Sequence, residues 1–388
     1  MLRILTLSTL FPDASRPNFG VFVERQTIGL AAHPDVALQV VAPIGVPPFP
    51  LSLASRYRPL RALPKAEEWK GLTLHRPRFA NVPGTGGRWH VAMLTRALIP
   101  VLDAIRRDFR FDIIDAEFFF PDGPAAIALG RRYGVPVSIK ARGADIHHWG
   151  RAPHTDEQVA MAIRQADGLL AVSQPMADDI AALAAPRAPV TVHYTGVDRS
   201  RFGVEDRAAA KRALGIDTPL VVSVGALIPR KGHDIVIAAA QPLPGVTFHL
   251  IGEGPQRGAL QAQIERLGLG DRVKLLGALP HDQVPRHLAA ADVMALASAS
   301  EGLANAWVEA LASGTPVVIT DAGGAREAVN RPAAGRIVDA TPTAFSEAIA
   351  ALIADPPTAD DVKEAAARFS WEANTTALYD HLRSLAKP

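Results

Sequence analysis

Short apolar runs rich in Val, Ile and Leu recur along the chain, each closed by a Gly/Pro turn and followed by a stretch with helical spacing. In the first half these runs are Arg3–Leu10, Ala37–Ala42, Phe111–Asp115, Val135–Lys140 and Gly168–Ser173. In the second half they are Leu220–Val224, Thr247–Ile251, Arg272–Leu276, Val293–Leu296 and Pro316–Thr320. None alternates strictly between apolar and polar positions, as a strand with one wet face does. Continuous runs suit strands covered on both faces, and the strand–helix alternation predicts parallel sheets with right-handed crossovers. Tyr194–Phe202, polar and turn-forming, separates the two series. The pattern predicts an α/β chain of two Rossmann-like, doubly wound domains, residues 1–198 and 199–368. Ligands of open α/β sheets bind beyond the carboxyl ends of the strands, so the expected site is a cleft between two such domains facing each other.

Composition sharpens this picture in three ways. A chain of 388 residues, 48% hydrophobic and 21% charged, is long enough for two cores. Charge is nearly balanced overall, but residues 1–150 hold 19 Lys/Arg against 12 Asp/Glu, while residues 151–388 hold 22 against 27. A basic first half suits an anionic partner, a phospholipid surface or a phosphate-bearing acceptor; solvated arginines on exposed helices are the competing reading. The absence of cysteine excludes disulfides, thiolate nucleophiles and Cys-ligated metals. No apolar run approaches the roughly 18–20 residues of a membrane span. Met1–Leu10 is apolar but is ended by Phe11-Pro-Asp13 without a small-residue cleavage site, so it reads as a buried first strand and the cytoplasm is the expected compartment.

The segment richest in chemistry is residues 298–327. It reads as a loop with an acid and a glycine, an amphipathic helix, a buried strand, and a glycine pair opening another helix. Asn305 is a candidate N-cap, and helices opened at Gly302 and at Gly323-Gly324 would present unpaired amides to an anion. Glu309 lies early on the first helix, where its carboxylate suits the vicinal hydroxyls of a ribose. Glu301 and Glu309 eight residues apart, Glu-Gly-x-x-Asn between them, and Gly-x-Pro-Val-Val and Gly-Gly-x-x-Glu downstream together resemble the signature of the family 4 retaining glycosyltransferases, which have the GT-B fold.

That resemblance implies roles elsewhere. Val222–Gly232 resembles the family's strand and loop, beginning at Gly225, that carry basic residues for the donor diphosphate. Lys231 is the expected phosphate contact stabilising the leaving group, and Arg230 adds a forked one. The family usually has an arginine directly after the first glycine; here Ala226 stands there, and Arg230 is its expected substitute. The turn at Gly252 fits the family's Gly-x-Gly-Pro turn near the nucleotide, and Gly277–Pro280, with Leu279, resembles the segment that meets the nucleobase. Gly20 corresponds to a loop glycine that lets backbone approach the diphosphate. Arg142 stands where the family has a histidine contacting the donor sugar; it is expected to meet a phosphate or hydroxyl with Asp145 orienting it, or to form a structural pair with Asp145. Phe369–Glu372 resembles the start of the family's last helix, about 369–388, which crosses back onto the first domain.

The reading that follows is a retaining glycosyltransferase using a nucleotide diphosphate-sugar as co-substrate. Its catalytic residues would be Lys231, Arg230 and Glu301, with Gly302, Leu303 and Ala304 supplying loop amides. No Asp-x-Asp occurs, Asp115-Ala-Glu117 being the nearest approach, so no metal or other cofactor is expected. The acceptor is a glycan or lipid-linked molecule of cell-surface polysaccharide or glycolipid synthesis, with no nucleic-acid partner. Residues 56–110 hold 12 Lys/Arg and four Asp/Glu, and the helix-like Arg88–Phe109 with Trp89 is the expected face toward an anionic membrane. A nucleotide-sugar epimerase, a phosphorylase and a non-catalytic nucleotide-sugar binding protein are the alternatives.

Overall fold

The computed structural model describes residues 1–203, 205–280 and 282–386. The chain divides into two compact units, Met1–Gly196 with Trp371–Pro388, and Val197–Ser370. Unit 1 contains β1 (Leu2–Leu7), β2 (Val36–Val41), β3 (Ile44–Val46), β4 (Ala66–Trp69), β5 (Leu72–His75), β6 (Arg78–Ala80), β7 (Ile113–Ala116), β8 (Val137–Ala141), β9 (Gly168–Ala171) and β10 (Val190–Val192). Eight of these form one sheet in the order β10-β9-β8-β7-β1-β2-β5-β4, while β3 and β6 pair separately. Every pair in the large sheet is parallel except β4 with β5. The chain winds outward from β1 in both directions, so the switch point lies between β1 and β7.

The missing alternation in the apolar runs has its cause here. Leu5, Ile114 and Leu169 point into one core, with Leu94, Leu98 and Leu102 of the helix His90–Asp108. Their neighbours Ile4, Ile113 and Leu170 point into the opposite one, with Leu30 of the helix Val21–Ala31 and Leu378 and Leu382 of the helix Trp371–Leu385. Both strand faces are therefore dry. The last helix, expected at about 369–388, runs Trp371–Leu385, and residues 387 and 388 lie outside the described residues. It is tied down by polar contacts as well. Asn374 Nδ2 donates to the Tyr194 carbonyl at 2.6 Å, and His381 Nε2 meets Ser138 Oγ at 3.0 Å.

Unit 2 contains β11 (Leu220–Val224), β12 (Thr247–Ile251), β13 (Val273–Gly277), β14 (Val293–Leu296), β15 (Val317–Ile319) and β16 (Gly335–Ile337). They form one parallel sheet, β13-β12-β11-β14-β15-β16, whose switch point falls between β11 and β14. Val221, Phe248, Val293 and Val318 pack against Val236, Ile264 and Phe345 of the covering helices.

Three differences from the sequence reading have physical causes. β10 and β16 are three-residue edge strands, too short to make an apolar run. β4 is half-exposed Ala-Glu-Glu-Trp, held by pairing with β5 instead of by its own pattern. Asn305 is not the N-cap. Ala304 occupies that position, and no side chain caps the helix Asn305–Ala312. In the helix His90–Asp108, Leu94, Leu98, Leu102 and Ile105 are turned into the core, and Trp89 just before it is an exposed large apolar side chain.

Candidate functional site

Lys231, Arg230 and Glu301 come together in unit 2 because they follow the two strands that flank its switch point. Val224, the end of β11, leads through Gly225 to a single 3-10 turn, Pro229–Lys231. Leu296, the end of β14, leads through Ala297 to Glu301. The two loops are bound to each other, Ala299 N donating to the Arg230 carbonyl at 2.8 Å. Gly232 makes the approach possible. Its φ is +63°, and a Cβ there would stand 2.2 Å from the Ala297 carbonyl oxygen.

Side chains complete the cluster. Lys231 Nζ donates to Glu301 Oε1, Arg230 Nη1 lies 3.7 Å from Glu301 Oε2, and the same Nη1 donates to the Ser300 carbonyl at 2.8 Å. Lys231 and Glu301 are nearly buried, whereas Arg230 is half exposed. Two cations therefore face one carboxylate, an excess of positive charge. Gly302, Leu303 and Ala304 are buried and lead directly into the uncapped helix Asn305–Ala312, so its first-turn N–H groups add further positive potential. Gly324 N donates to the Gly302 carbonyl at 2.7 Å, fixing this loop from the next one. Glu309 lies in the second turn of the helix, half-buried.

The neighbouring loops are knit to the same edge. Gly225 N donates to the Ile251 carbonyl at 3.0 Å and Gly252 N to the Gly277 carbonyl at 2.9 Å. Leu279 is half-buried in the stretch after β13. All these predicted positions thus lie at the carboxyl edge of one sheet. A residue outside the sequence reading joins them: His233, fully buried behind Lys231, with Nδ1 3.1 Å from Ser223 Oγ and no hydrogen-bond partner for Nε2. Burial lowers its pKa to about 4, so it is a neutral ring at neutral pH. A histidine beginning a helix after Lys-Gly carries no signal in sequence that separates it from a packing residue.

Unit 1 places Gly20 and Arg142 at the carboxyl edge of its own sheet. Gly20, φ +73°, precedes the helix Val21–Ala31, and a Cβ there would stand 2.5 Å from the Leu10 carbonyl oxygen. The left-handed turn requires glycine for packing alone. Arg142 follows β8, and its guanidinium pairs with Glu117, which follows β7. Its Nε donates to the Glu117 carbonyl at 3.2 Å and its Nη2 to Gln26 Oε1 at 3.3 Å, while the buried Nη1 has no partner. The expected Arg142–Asp145 side-chain pairing is corrected by the structure. Asp145 instead accepts backbone N–H bonds from Phe119 at 2.9 Å, Arg142 at 3.0 Å and Gly143 at 2.7 Å. It shapes the backbone that carries Arg142 and leaves the guanidinium to Glu117.

Behind Arg142 lies a buried charge network that sequence reasoning missed. Lys140 Nζ donates to Gln26 Oε1 at 2.7 Å and lies 2.6 Å from His193 Nδ1. Burial raises the Asp115 carboxyl well above its usual range, and neighbouring Glu117 adds to that. Burial alone would raise Glu117 too, but the Arg142 and Lys140 cations outweigh it and hold the carboxylate ionised. Asp115-Ala-Glu117, the nearest approach to a metal-binding pair in the sequence, is thus occupied with internal ion pairing. Among the described residues no group of three or more His, Cys, Asp or Glu side chains could hold a metal ion, and no helix is long and apolar enough to cross a membrane.

Comparison with known proteins gives the chain its relatives. The profile of "Glycosyltransferase Family 4" matches residues 33–201 and that of "Glycosyl transferases group 1" matches residues 205–369. TuaC of Bacillus subtilis (strain 168), named for teichuronic acid biosynthesis, is 28% identical over 100% of this chain and 99% of its own. A GDP-mannose-dependent alpha-(1-6)-phosphatidylinositol monomannoside mannosyltransferase of Mycolicibacterium smegmatis is 29% identical over 75% of this chain and 80% of its own. Among solved structures, sucrose-phosphate synthase of Thermosynechococcus elongatus superposes with a TM-score of 0.81 at 20% identity, covering 99% of each chain. HepE of Anabaena, solved with UDP, superposes with a TM-score of 0.76 at 22% identity, covering 99% of this chain and 100% of its own.

Proposed function

Since the chain belongs to the group 1, family 4 glycosyltransferases and has the two-domain GT-B fold, we propose that it transfers a sugar, with retention of anomeric configuration, from a nucleotide diphosphate-sugar to a glycan or lipid-linked acceptor. The observation that carries this reading is the unbalanced Arg230–Lys231–Glu301 cluster at the switch point of unit 2, beside an uncapped helix. Cleavage of the sugar–phosphate bond places negative charge on the departing diphosphate. Lys231 and Arg230, with the amides leading into Asn305, are positioned to receive that charge in a partly dry setting, where such donors act most strongly. Glu301 then holds donor sugar hydroxyls, and Glu309 receives the ribose hydroxyls. Gly252 and Leu279 lie along the nucleotide.

The departing phosphate takes the acceptor proton, so no separate enzymic base is assigned. Protein cations, without a metal, balance the leaving group. One solved neighbour and one relative support the donor class: UDP is present in the HepE structure, and GDP-mannose is in the name of the mycobacterial relative. The names of TuaC and the mannosyltransferase support a polysaccharide or glycolipid as the product class, and the basic first half suits its synthesis at the inner face of an anionic membrane. The test is an assay of free nucleoside diphosphate from UDP-, GDP- and ADP-sugars, with and without an envelope lipid extract. Release that requires acceptor, survives EDTA and yields a product of unchanged anomeric configuration is the expected result. Release without acceptor, or loss of activity in EDTA restored by a divalent cation, overturns transfer or metal independence respectively.

A further inference from the structure

Six large apolar side chains are exposed in the described chain, and three of them fall within five residues: Phe49, Leu51 and Leu53, 79%, 55% and 57% exposed. They follow β3 and sit on a tip that satisfies much of its own backbone. Ser52 N donates to the Pro48 carbonyl at 3.2 Å, Leu53 N to Pro50 at 2.9 Å and Tyr57 N to Ala54 at 3.0 Å. The amides paired internally are not stranded when such a tip enters an apolar medium.

The tip continues into a basic collar. Between Asp35 and Glu67 there is no acidic residue, and the cations are Arg56, Arg58, Arg61 and Lys65, all exposed. No ion pair among the described residues engages any of the four. The far end of the segment is clamped to the fold by Arg78 of β6, whose guanidinium donates to the carbonyls of Leu60, Leu63, Pro64 and Arg76, with Leu63 buried. An apolar tip, an unpaired basic collar and a fixed base in sequence match the chemistry of an anionic lipid surface, whose acyl boundary accepts the first and whose headgroups attract the second.

We propose that residues 49–65 dock unit 1 onto an anionic bilayer, Phe49, Leu51 and Leu53 entering the headgroup–acyl boundary while Arg56, Arg58, Arg61 and Lys65 lie against the headgroups. This deepens the reading that the acceptor is met at an anionic membrane, narrows the basic contact from residues 56–110 to residues 56–65, and adds the apolar tip before it. The chain has no cysteine, so Phe49→Cys carries a single environment-sensitive dye. Its emission should shift to the blue with phosphatidylglycerol-containing vesicles and not with phosphatidylcholine alone. In co-sedimentation at 0.1 M salt, F49S/L51S/L53S should lower partitioning at least roughly tenfold. R56Q/R58Q/R61Q should remove the preference for anionic lipid and most of the salt dependence. Nucleotide binding by the same samples reports folding and the donor site separately, so failure of docking leaves sugar transfer untouched.

Three results overturn the proposal. The first is wild-type protein that stays in the supernatant with anionic vesicles at low salt. The second is a serine triple variant that sediments like wild type. The third is a lipid-free dimer that the serine substitutions dissociate, which would assign the apolar tip to a second copy of the chain.

Discussion

The switch points of the two units hold cations in opposite ways. In unit 1, Arg142 and Lys140 face Glu117 and Asp115, all buried, so the network is balanced on paper and closed to water. In unit 2, Lys231 and Arg230 share Glu301, and the Arg230 side chain is 48% exposed. A balanced buried network resists change, because removing one member leaves another charge stranded. An unbalanced cluster at the edge of a sheet has a cation to offer an incoming anion at little cost. The same kind of residue, at the same place in the same kind of fold, is therefore locked into internal pairing in one unit and left with charge to spare in the other, where the proposed reading seats a diphosphate.

Substitutions that act on the two cation sites separately test this contrast. The largest effect is expected from Arg142→Ala, which strands Glu117 in the core. Urea unfolding should show a loss of about 3–5 kcal/mol, and a fully stable variant would break the comparison on the unit 1 side. Next comes Lys231→Ala, expected to lower turnover about 10²–10³-fold, the scale of losing one preorganised charge-stabilising donor. Its stability should change by no more than about 1–2 kcal/mol, since Arg230 remains 3.7 Å from Glu301 to balance it. A variant that unfolds instead would make Lys231 a second structural cation. Arg230→Ala should cost roughly tenfold in turnover, being exposed and supplementary; steady-state kinetics beside Lys231→Ala will rank the two.

The smallest effect is in pH. Burial lowers the pKa of His381, on the last helix of unit 1, to about 4. The unfolded ring, with its ordinary pKa near 6.5, takes up a proton that the folded ring refuses. Its contribution is therefore fully present above about pH 6.5 and is lost as pH falls from there toward 4. The melting temperature should fall between pH 6.5 and 5, and His381→Gln should flatten that fall by the equivalent of about 1 kcal/mol.

Much of this was readable from the chain, and the part that was not has a common cause. Nine of the ten apolar runs mark interior strands, because a strand dry on both faces leaves a continuous signature; the tenth, Arg272–Leu276, is the edge strand β13. The order of Glu301, Glu309 and the glycines singles out the loop after β14 because close backbone approach restricts residue type along a single stretch. What stayed hidden depends on partners far apart in sequence. Lys140, Glu117 and Gln26 read singly as strand ends or a helix face, and only the folding of β7 and β8 beside the helix Val21–Ala31 makes them a network. Arg142 looked like a partner for Asp145, three residues on; the structure gives Asp145 to backbone amides. The basic content of residues 56–110 hid the buried face of the helix His90–Asp108, and Leu94, Leu98, Leu102 and Ile105 belong to the core. Phe49, Leu51 and Leu53 lie in a proline-rich stretch without periodicity, so their exposure was invisible until the fold was known.

The central claim is that the carboxyl edge of unit 2 holds the diphosphate of an activated sugar through Lys231. Titration calorimetry of the wild type and of Lys231→Ala with UDP, GDP and ADP tests it most directly. One nucleoside diphosphate should bind the wild type, and its affinity should fall at least roughly tenfold in the variant. Equal affinity in both proteins, or no binding of any of the three to the wild type, would contradict it.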